Sequence, residues 1–215
     1  MEVSVSILGG YDNLDETIEK VNNSICDYVH IDVMDGKFVS DVKFPFDITK
    51  KVIKKSKKKT EVHLMVNDIN TVHKYIELKP DVLIFHVEII KDKDIIYDIK
   101  KKGIKVGLAI NPETRIEKLL PYLKDIDLVL FMSVKPGKGG QQFKKTTLSK
   151  ITKLKKVLPS TMVINIDGGV NDTNALLCKK AGCKRLVSGS YITKSDNYDK
   201  KIKKLNSESH FMTFF

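Results

Sequence analysis

Eight short runs rich in β-branched and apolar residues recur along the chain, and a stretch with helical periodicity follows each run. Consecutive runs start 21 to 34 residues apart, which leaves room for one helix and two loops each time. Eight such units are more than a six-stranded doubly wound sheet needs. The sequence therefore predicts an α/β fold, a single-domain (β/α)8 TIM barrel with a parallel eight-stranded barrel. The predicted strands are Val3–Leu8, Tyr28–Val33, Glu61–Met65, Val82–His86, Lys105–Ile110, Leu128–Met132, Met162–Asp167 and Arg185–Ser188.

One hydrophobic core is consistent with a chain of 215 residues of which 41% are hydrophobic, and no Pro-, Gly- or Ser-rich linker divides it. We expect residues 1–206 to form the barrel, as the catalytic domain, and residues 207–215 to form a C-terminal tail. The apolar end of that tail, Phe211–Phe215, either packs on the barrel or a subunit neighbour or frays into solvent. We expect a homo-oligomer. Helices are predicted at about Leu14–Ser24, Asp47–Lys55, Ile69–Leu78, Asp94–Lys101, Ile116–Leu120, Lys145–Val157, Thr173–Lys180 and Asn197–Lys204.

The formal net charge of +11 raises the question of a nucleic-acid partner. The 38 basic residues include only two arginines, Arg115 and Arg185, whereas phosphate and base recognition usually draws on bidentate arginine. A lysine-rich solvated surface, which also attracts an anionic small substrate, is the better interpretation, and we expect no nucleic-acid partner. No apolar run is long enough to span a bilayer and no secretion signal is present at Met1–Ser6, so we expect no membrane association and a cytoplasmic protein. Three cysteines without a C-x-x-C pair indicate neither a disulfide framework nor a cysteine zinc site.

Polar residues stand at the ends of three predicted strands, where the active sites of barrels lie. Because side chains alternate along a strand, His30 and Asp32 share a face, and His63 and Asp167 come from the third and seventh strands. A single histidine there is usually a core or surface residue. Two imidazoles with two carboxylates instead match the ligand set of one divalent transition metal, Zn, Fe, Mn or Co.

Three other histidines differ in their relation to this site. His86 ends the fourth predicted strand with Glu88 two residues later, and the pair either supports the metal ligands or is merely structural. His73, in a predicted helix, and His210, in the tail, are expected to be surface residues.

Small-residue turns follow the last three predicted strands and indicate a phosphate cradle, although any one of them alone is compatible with an ordinary tight turn. No Walker-type or dinucleotide-binding glycine motif is present, which disfavours a nucleotide cofactor. The residues of the three turns are Gly137, Lys138, Gly139 and Gly140, then Gly168 and Gly169, then Gly189 and Ser190.

Several of these motifs, taken in order along the chain, resemble the ribulose-phosphate 3-epimerase family. The resemblance is collinear from Val5 to about Tyr191. The motifs are Ser6-Ile7-Leu8, His30-Ile31-Asp32-Val33-Met34-Asp35-Gly36, Val62-His63-Leu64-Met65, Asn111-Pro112, Met132 to Gln141, Asp167-Gly168-Gly169 and Gly189-Ser190.

The resemblance implies a metal-dependent epimerase that interconverts D-ribulose 5-phosphate and D-xylulose 5-phosphate at C3, in the pentose phosphate pathway. It implies one divalent metal on His30, Asp32, His63 and Asp167, with Asp32 and Asp167 also acting as the acid/base pair. Ser6 and His63 would touch the substrate and the glycine turns would hold its phosphate. The implied lining of the pocket is Met34, Met65 and Met132, each of which could equally be ordinary core.

Three alternatives stay open. The substrate could be a six-carbon ketose phosphate such as D-allulose 6-phosphate, or the chain could be a non-catalytic barrel that binds phosphate or nucleic acid. A decarboxylase or aldol-type relative would show D-x-K-x-x-D, but Met34 stands at the lysine position. The chain also departs from the family at Gly9-Gly10-Tyr11, usually Ser-Ala-Asp, at Ser40-Asp41, usually Pro-Asn, at Tyr191 to Lys194, and at Lys138, usually aromatic.

Overall fold

The computed structural model describes residues 1–207 and confirms the predicted barrel: eight parallel strands close on themselves, since β1 pairs with both β2 and β9. A ninth strand, β3, is a two-residue antiparallel addition to β2. The strands are β1 (Glu2–Ser6), β2 (Tyr28–Asp35), β3 (Val42–Lys43), β4 (Lys59–Met65), β5 (Val82–His86), β6 (Lys105–Ile110), β7 (Leu128–Met132), β8 (Val163–Asp167) and β9 (Arg185–Ser188).

Helices surround the barrel, as predicted, with differences at particular ends. The first strand is shorter than predicted because Ile7–Asn13 forms a 3-10 helix. The predicted helix at Ile116–Leu120 is a 3-10 helix over Ile116–Tyr122, where Pro121 lacks the N–H of an α-helix. The α-helices are α1 (Leu14–Asn23), α2 (Phe46–Lys55), α3 (Ile69–Ile76), α4 (Asp94–Lys101), α5 (Thr146–Lys155), α6 (Asp172–Ala181), α7 (Ser190–Thr193) and α8 (Tyr198–Asn206).

The apolar residues form two layers, as strand alternation requires. The larger layer lies between the strands and the helices and includes Ile31 and Leu64. The smaller layer fills the barrel interior, where Ile84 and Leu130 pack. Gly107 makes room there, because a Cβ at that position would lie 2.7 Å from Leu128 Cδ1.

Three aspartates at the start of strands fix the register at the bottom of the barrel. Asp27, Asp81 and Asp127 each precede a strand and accept a backbone N–H from the neighbouring strand. The N···O distances are 2.8 Å from Val3, 2.7 Å from Thr60 and 2.8 Å from Val106. This repeated contact helps to set which side chains reach the top of the barrel.

No helix among residues 1–207 is both long and apolar enough to cross a membrane. The predicted tail spans residues 207–215, and all of it after Ser207 lies outside the described residues. His210 belongs to that part. His73 lies on α3 with its side chain 45% exposed, as expected for a surface residue.

Candidate active site

Strand register brings the predicted metal ligands together at the top of the barrel. The register between β2 and β4 places Asp32 beside His63, and the register between β1 and β2 places Ser6 beside His30. Asp167 reaches the same point from the end of β8. One ligand atom each from His30, Asp32, His63 and Asp167 lies within 4.8 Å of the others. These four residues form what we call the ligand cluster.

The ligand cluster has the donor set and the geometry of a cation site. His30 Nε2 is buried, lies 3.3 Å from Asp32 Oδ1 and makes no hydrogen bond within residues 1–207. His63 Nδ1 lies 3.0 Å from the same carboxylate oxygen. An orphaned buried nitrogen that faces carboxylates is what a divalent ion would satisfy, so these residues fit a metal ion.

A second carboxylate, Glu61, holds His30 from below. Glu61 Oε2 lies 3.1 Å from His30 Nδ1 and accepts a 2.7 Å hydrogen bond from Ser4 Oγ. Its other oxygen binds the Arg185 guanidinium and accepts from Asn165 Nδ2 at 3.2 Å. Metal-bound histidines commonly donate their second ring N–H to such a carboxylate.

Sequence reasoning missed this network because its arginine lies far from the His30-x-Asp32 pair along the chain. Arg185 is far away in sequence but adjacent across the closed barrel, where its side chain is 4% exposed. The sequence did contain a signal for Glu61: it lies two residues before His63 on the same strand, and residues two apart in a strand point to the same face.

His63 contacts His86 at the end of the next strand, β5, and His86 in turn contacts Glu88 in the loop that follows. His63 Nε2 lies 2.9 Å from His86 Nε2, and His86 Nδ1 lies 3.1 Å from Glu88 Oε2. His86 and Glu88 therefore lie in a row that reaches the ligand cluster, and whether the pair supports metal ligands or is structural stays a prediction.

The two aspartates of the ligand cluster have opposite electrostatic environments. Burial alone would raise the pKa of Asp32, but the adjacent imidazoles of His30 and His63 outweigh it and hold that pKa well below its usual value. Burial and the nearby charge of Asp32 raise the pKa of Asp167 to about 7. Two neighbouring carboxyl groups whose pKa values are shifted in opposite directions suit complementary roles as base and acid.

A cavity opens directly above the ligand cluster. Asp32 and Asp167 reach its wall, whereas His30 and His63 are fully buried. The cavity is also lined by Leu8, Gly9, Val134, Val170 and Tyr191, which sequence reasoning did not assign to the site. The other predicted residues on its wall are Ser6, Met34, Met65, Met132, Gly137, Lys138, Gly139, Gly140, Gly168, Gly169, Gly189 and Ser190.

The turn after β8 has a backbone conformation that favours glycine. Gly168 and Gly169 have φ of +108° and +64°, a region that other residues rarely adopt. A Cβ on Gly169 would lie 2.5 Å from the Gln141 carbonyl oxygen, so the turn and the loop after β7 are in close contact. Asn174 Nδ2 donates a 2.9 Å hydrogen bond to the Gly169 carbonyl oxygen. Within residues 1–207 the Gly169 N–H donates to no backbone carbonyl.

Asp35, which belongs to the same sequence block as Asp32, has a different task. Its carboxylate accepts backbone N–H groups of Lys37, Phe38 and Asn67, each at 2.8 Å. It therefore shapes the loop after β2, in which Phe38 packs on His86 with ring centroids 4.5 Å apart.

Relatives of known family are similar in sequence to this chain over nearly its whole length. The model of the ribulose-phosphate 3 epimerase family matches residues 2–193. A ribulose-phosphate 3-epimerase of Helicobacter pylori is 37% identical over 209 residues, 94% of each chain. That of Methanocaldococcus jannaschii is 36% identical over 95% of this chain and 89% of its own. That of Bacillus subtilis is 32% identical over 95% and 98%.

Solved structures at low sequence identity share the fold alone. A 3-hexulose-6-phosphate synthase has a TM-score of 0.66 at 14% identity, covering 95% of this chain and 98% of its own. Orotidine 5′-phosphate decarboxylase from Pyrococcus horikoshii OT3 has a TM-score of 0.66 at 13% identity, covering 94% and 96%. The family match and the identities above, by contrast, confirm the resemblance found in the sequence. The chain belongs to the ribulose-phosphate 3-epimerase family and is an epimerase.

Proposed function

We propose that the chain interconverts D-ribulose 5-phosphate and D-xylulose 5-phosphate by inverting C3, as a cytoplasmic step of pentose phosphate metabolism. The observation that carries the proposal is the meeting of two features at one cavity: the ligand cluster, whose two carboxyl groups reach the cavity wall, and the glycine turns. Each feature serves a different part of a phosphorylated ketose.

The carboxyl groups supply the proton transfers. Inversion removes the C3 proton, which the neighbouring ketone acidifies, and returns a proton to the opposite face, so two groups are needed. Asp32 on β2 and Asp167 on β8 both reach the cavity wall, and each would serve one face of a planar enediolate. Ser6 Oγ donates a 2.6 Å hydrogen bond to Asp32 Oδ2 and keeps that carboxylate oriented.

His30, Asp32, His63 and Asp167 would hold one divalent ion, with Zn, Fe, Mn and Co as the candidates. When bound, such an ion supplies positive charge that stabilises the negative charge developing on the substrate oxygens. Met34, Met65 and Met132 line the cavity with soft apolar groups that offer no competing proton.

The rim of the cavity would bind the phosphate. Backbone N–H groups at Gly169 and Ser190 donate to no backbone carbonyl within residues 1–207 and are available to an anion. Lys138 adds a positive charge in the loop after β7. Met34 stands where the decarboxylase and aldol-type relatives would need a lysine, which favours epimerisation over those reactions.

The full-length protein, loaded with each candidate metal, tests the proposal in a coupled assay. We expect turnover of D-ribulose 5-phosphate, a much lower kcat/KM for free ribulose because the phosphate contacts are lost, and slower turnover of D-allulose 6-phosphate. In heavy water the product should carry deuterium at C3, because the proton taken by one carboxyl group is not the one that the other delivers.

Two results would contradict the proposal. Full retention of the original C3 hydrogen would mean a single base or a direct transfer. Faster turnover of D-allulose 6-phosphate than of D-ribulose 5-phosphate would assign the six-carbon substrate instead.

A further inference from the structure

One glutamine side chain holds together the loop after β7, residues 134–143, which we call the β7 loop. Gln141 Nε2 donates to the carbonyl oxygens of Lys135 and Lys138, at 2.7 and 2.8 Å. Both acceptors are backbone carbonyls, so the side chain must present its NH2 group, and each of the two protons serves one carbonyl. Within residues 1–207, no other side-chain hydrogen bond involves the β7 loop. The conformation of the loop therefore depends on Gln141.

The β7 loop forms part of the cavity wall and lies against two other loops. Its residues 136–140 line the cavity. A Cβ on Gly137 would lie 2.8 Å from Val39 Cβ, so this part of the β7 loop contacts the loop after β2. A Cβ on Gly169 would lie 2.8 Å from Phe143 N, so the end of the β7 loop contacts the turn after β8. A change in the fold of the β7 loop would therefore change the cavity.

Lys138 is the charged residue in the cavity-lining part of the β7 loop. Its carbonyl oxygen is one of the two that Gln141 holds, and within residues 1–207 its ammonium group forms no ion pair. A lysine acts on a phosphate as a point charge at the end of a flexible stem. Its effect on a phosphate therefore depends on where its backbone is held.

We propose that Gln141 is a positioning residue for phosphate binding, because its side chain holds the β7 loop in the conformation that keeps Lys138 at the cavity. The proposal rests on the phosphorylated substrate of the proposed function. It adds a residue that is not part of the cavity wall itself. Loss of its two hydrogen bonds should weaken substrate binding and leave proton transfer by Asp32 and Asp167 unchanged.

The substitution Gln141→Glu removes both hydrogen bonds with almost no change in shape. A carboxylate only accepts hydrogen bonds, so it would face two carbonyl oxygens with no proton between them. Gln141→Met removes the same donors without adding a charge, which separates this loss from repulsion between a new carboxylate and the phosphate. Gln142→Glu is the matched control. It makes the same change at the next residue, which is exposed and makes no side-chain hydrogen bond within residues 1–207.

Trypsin reports the conformation of the β7 loop without any use of turnover. The enzyme cleaves after lysine but not before proline, and Pro136 follows Lys135, so Lys138–Gly139 is the bond to follow in this loop. Cleavage is measured by mass spectrometry on the folded, full-length protein. We expect this bond to be cut about tenfold faster in both Gln141 variants than in the wild type and Gln142→Glu, because two hydrogen bonds that restrain it are lost.

Steady-state kinetics test the connection with the phosphate. In both Gln141 variants KM for D-ribulose 5-phosphate should rise about tenfold while kcat stays unchanged, because only binding is weakened. Gln142→Glu should keep the wild-type values of both. A general loss of structure would lower kcat as well, so this division between KM and kcat distinguishes positioning from stability.

Three results would overturn the proposal. The first is cleavage after Lys138 that is no faster in the Gln141 variants than in Gln142→Glu. The second is an unchanged KM in those variants, and the third is a fall in kcat equal to the rise in KM. A wild-type chain without epimerase activity would instead refute the proposed function, and the cleavage rates would still decide whether Gln141 holds the loop.

Discussion

Replacement of Arg185 by methionine should strongly destabilise the barrel. Arg185 binds Glu61, which is fully buried, and Glu2, which is 42% exposed and lies 2.7 Å from Nη2. Its guanidinium carbon also lies 3.7 Å above the centre of the Tyr28 ring. Arg185→Met leaves the Glu61 carboxylate buried beside His30 without its cation, and breaking a buried pair in this way costs about 3–5 kcal/mol.

That loss is measurable by urea unfolding followed by circular dichroism, with chelator present so that bound metal adds nothing to stability. For a chain of this length it corresponds to a fall in Tm of roughly 6–20 °C. The only other arginine in the chain is a matched control. Arg115 is 84% exposed and lies 3.4 Å from Glu117, so Arg115→Met should change stability by less than about 0.5 kcal/mol.

The double variant Arg185→Met with Glu61→Gln tests whether the uncompensated charge of Glu61 causes the loss of stability. Because it removes the uncompensated charge as well as its partner, it should be more stable than Arg185→Met alone. A loss below about 1 kcal/mol for Arg185→Met would refute the argument from a buried pair. A double variant whose loss equals the sum of the single losses would refute it too.

Three further predictions concern the cavity. Metal analysis should find about one divalent ion per chain, and exhaustive chelation should abolish turnover that the same ion then restores. Asp32→Asn and Asp167→Asn should each lower kcat by roughly 10²–10⁴-fold, because each removes one proton carrier, with metal content measured in parallel. Gly169→Ala should raise KM for the phosphorylated sugar and lower Tm, because its Cβ meets the Gln141 carbonyl; Gly139→Ala should leave Tm unchanged, since nothing lies within 4 Å of a Cβ there.

Strand periodicity is sufficient to predict the barrel and the residues at its top. Alternation alone puts His30 and Asp32 on one face of a strand, and both lie in the ligand cluster. Four predicted strands, at Val82–His86, Lys105–Ile110, Leu128–Met132 and Arg185–Ser188, have the observed bounds. A run of apolar residues between turns strongly predicts a strand, because a parallel strand that is buried on both faces consists almost entirely of apolar residues.

Contacts across the barrel could not be predicted in the same way. Local patterns carry no information on which residues of distant strands meet, so the pairing of Glu61 with Arg185 could not be inferred from them. The short elements β3 and α7 were also missed, since two or four residues carry no periodicity. The roles assigned to individual site residues remain predictions that the experiments above test.

The ligand cluster spans the seam at which the barrel closes. His30, Asp32 and His63 belong to β2 and β4, whereas Asp167 belongs to β8, and β1 and β9 lie between the two groups. More than half of the chain separates Asp32 from Asp167 in sequence. An ion held by all four residues would tie the early and late parts of the chain together across that seam. Its binding free energy would therefore favour the closed barrel over any opening between β2 and β8, so metal loss would loosen the seam before the rest of the fold.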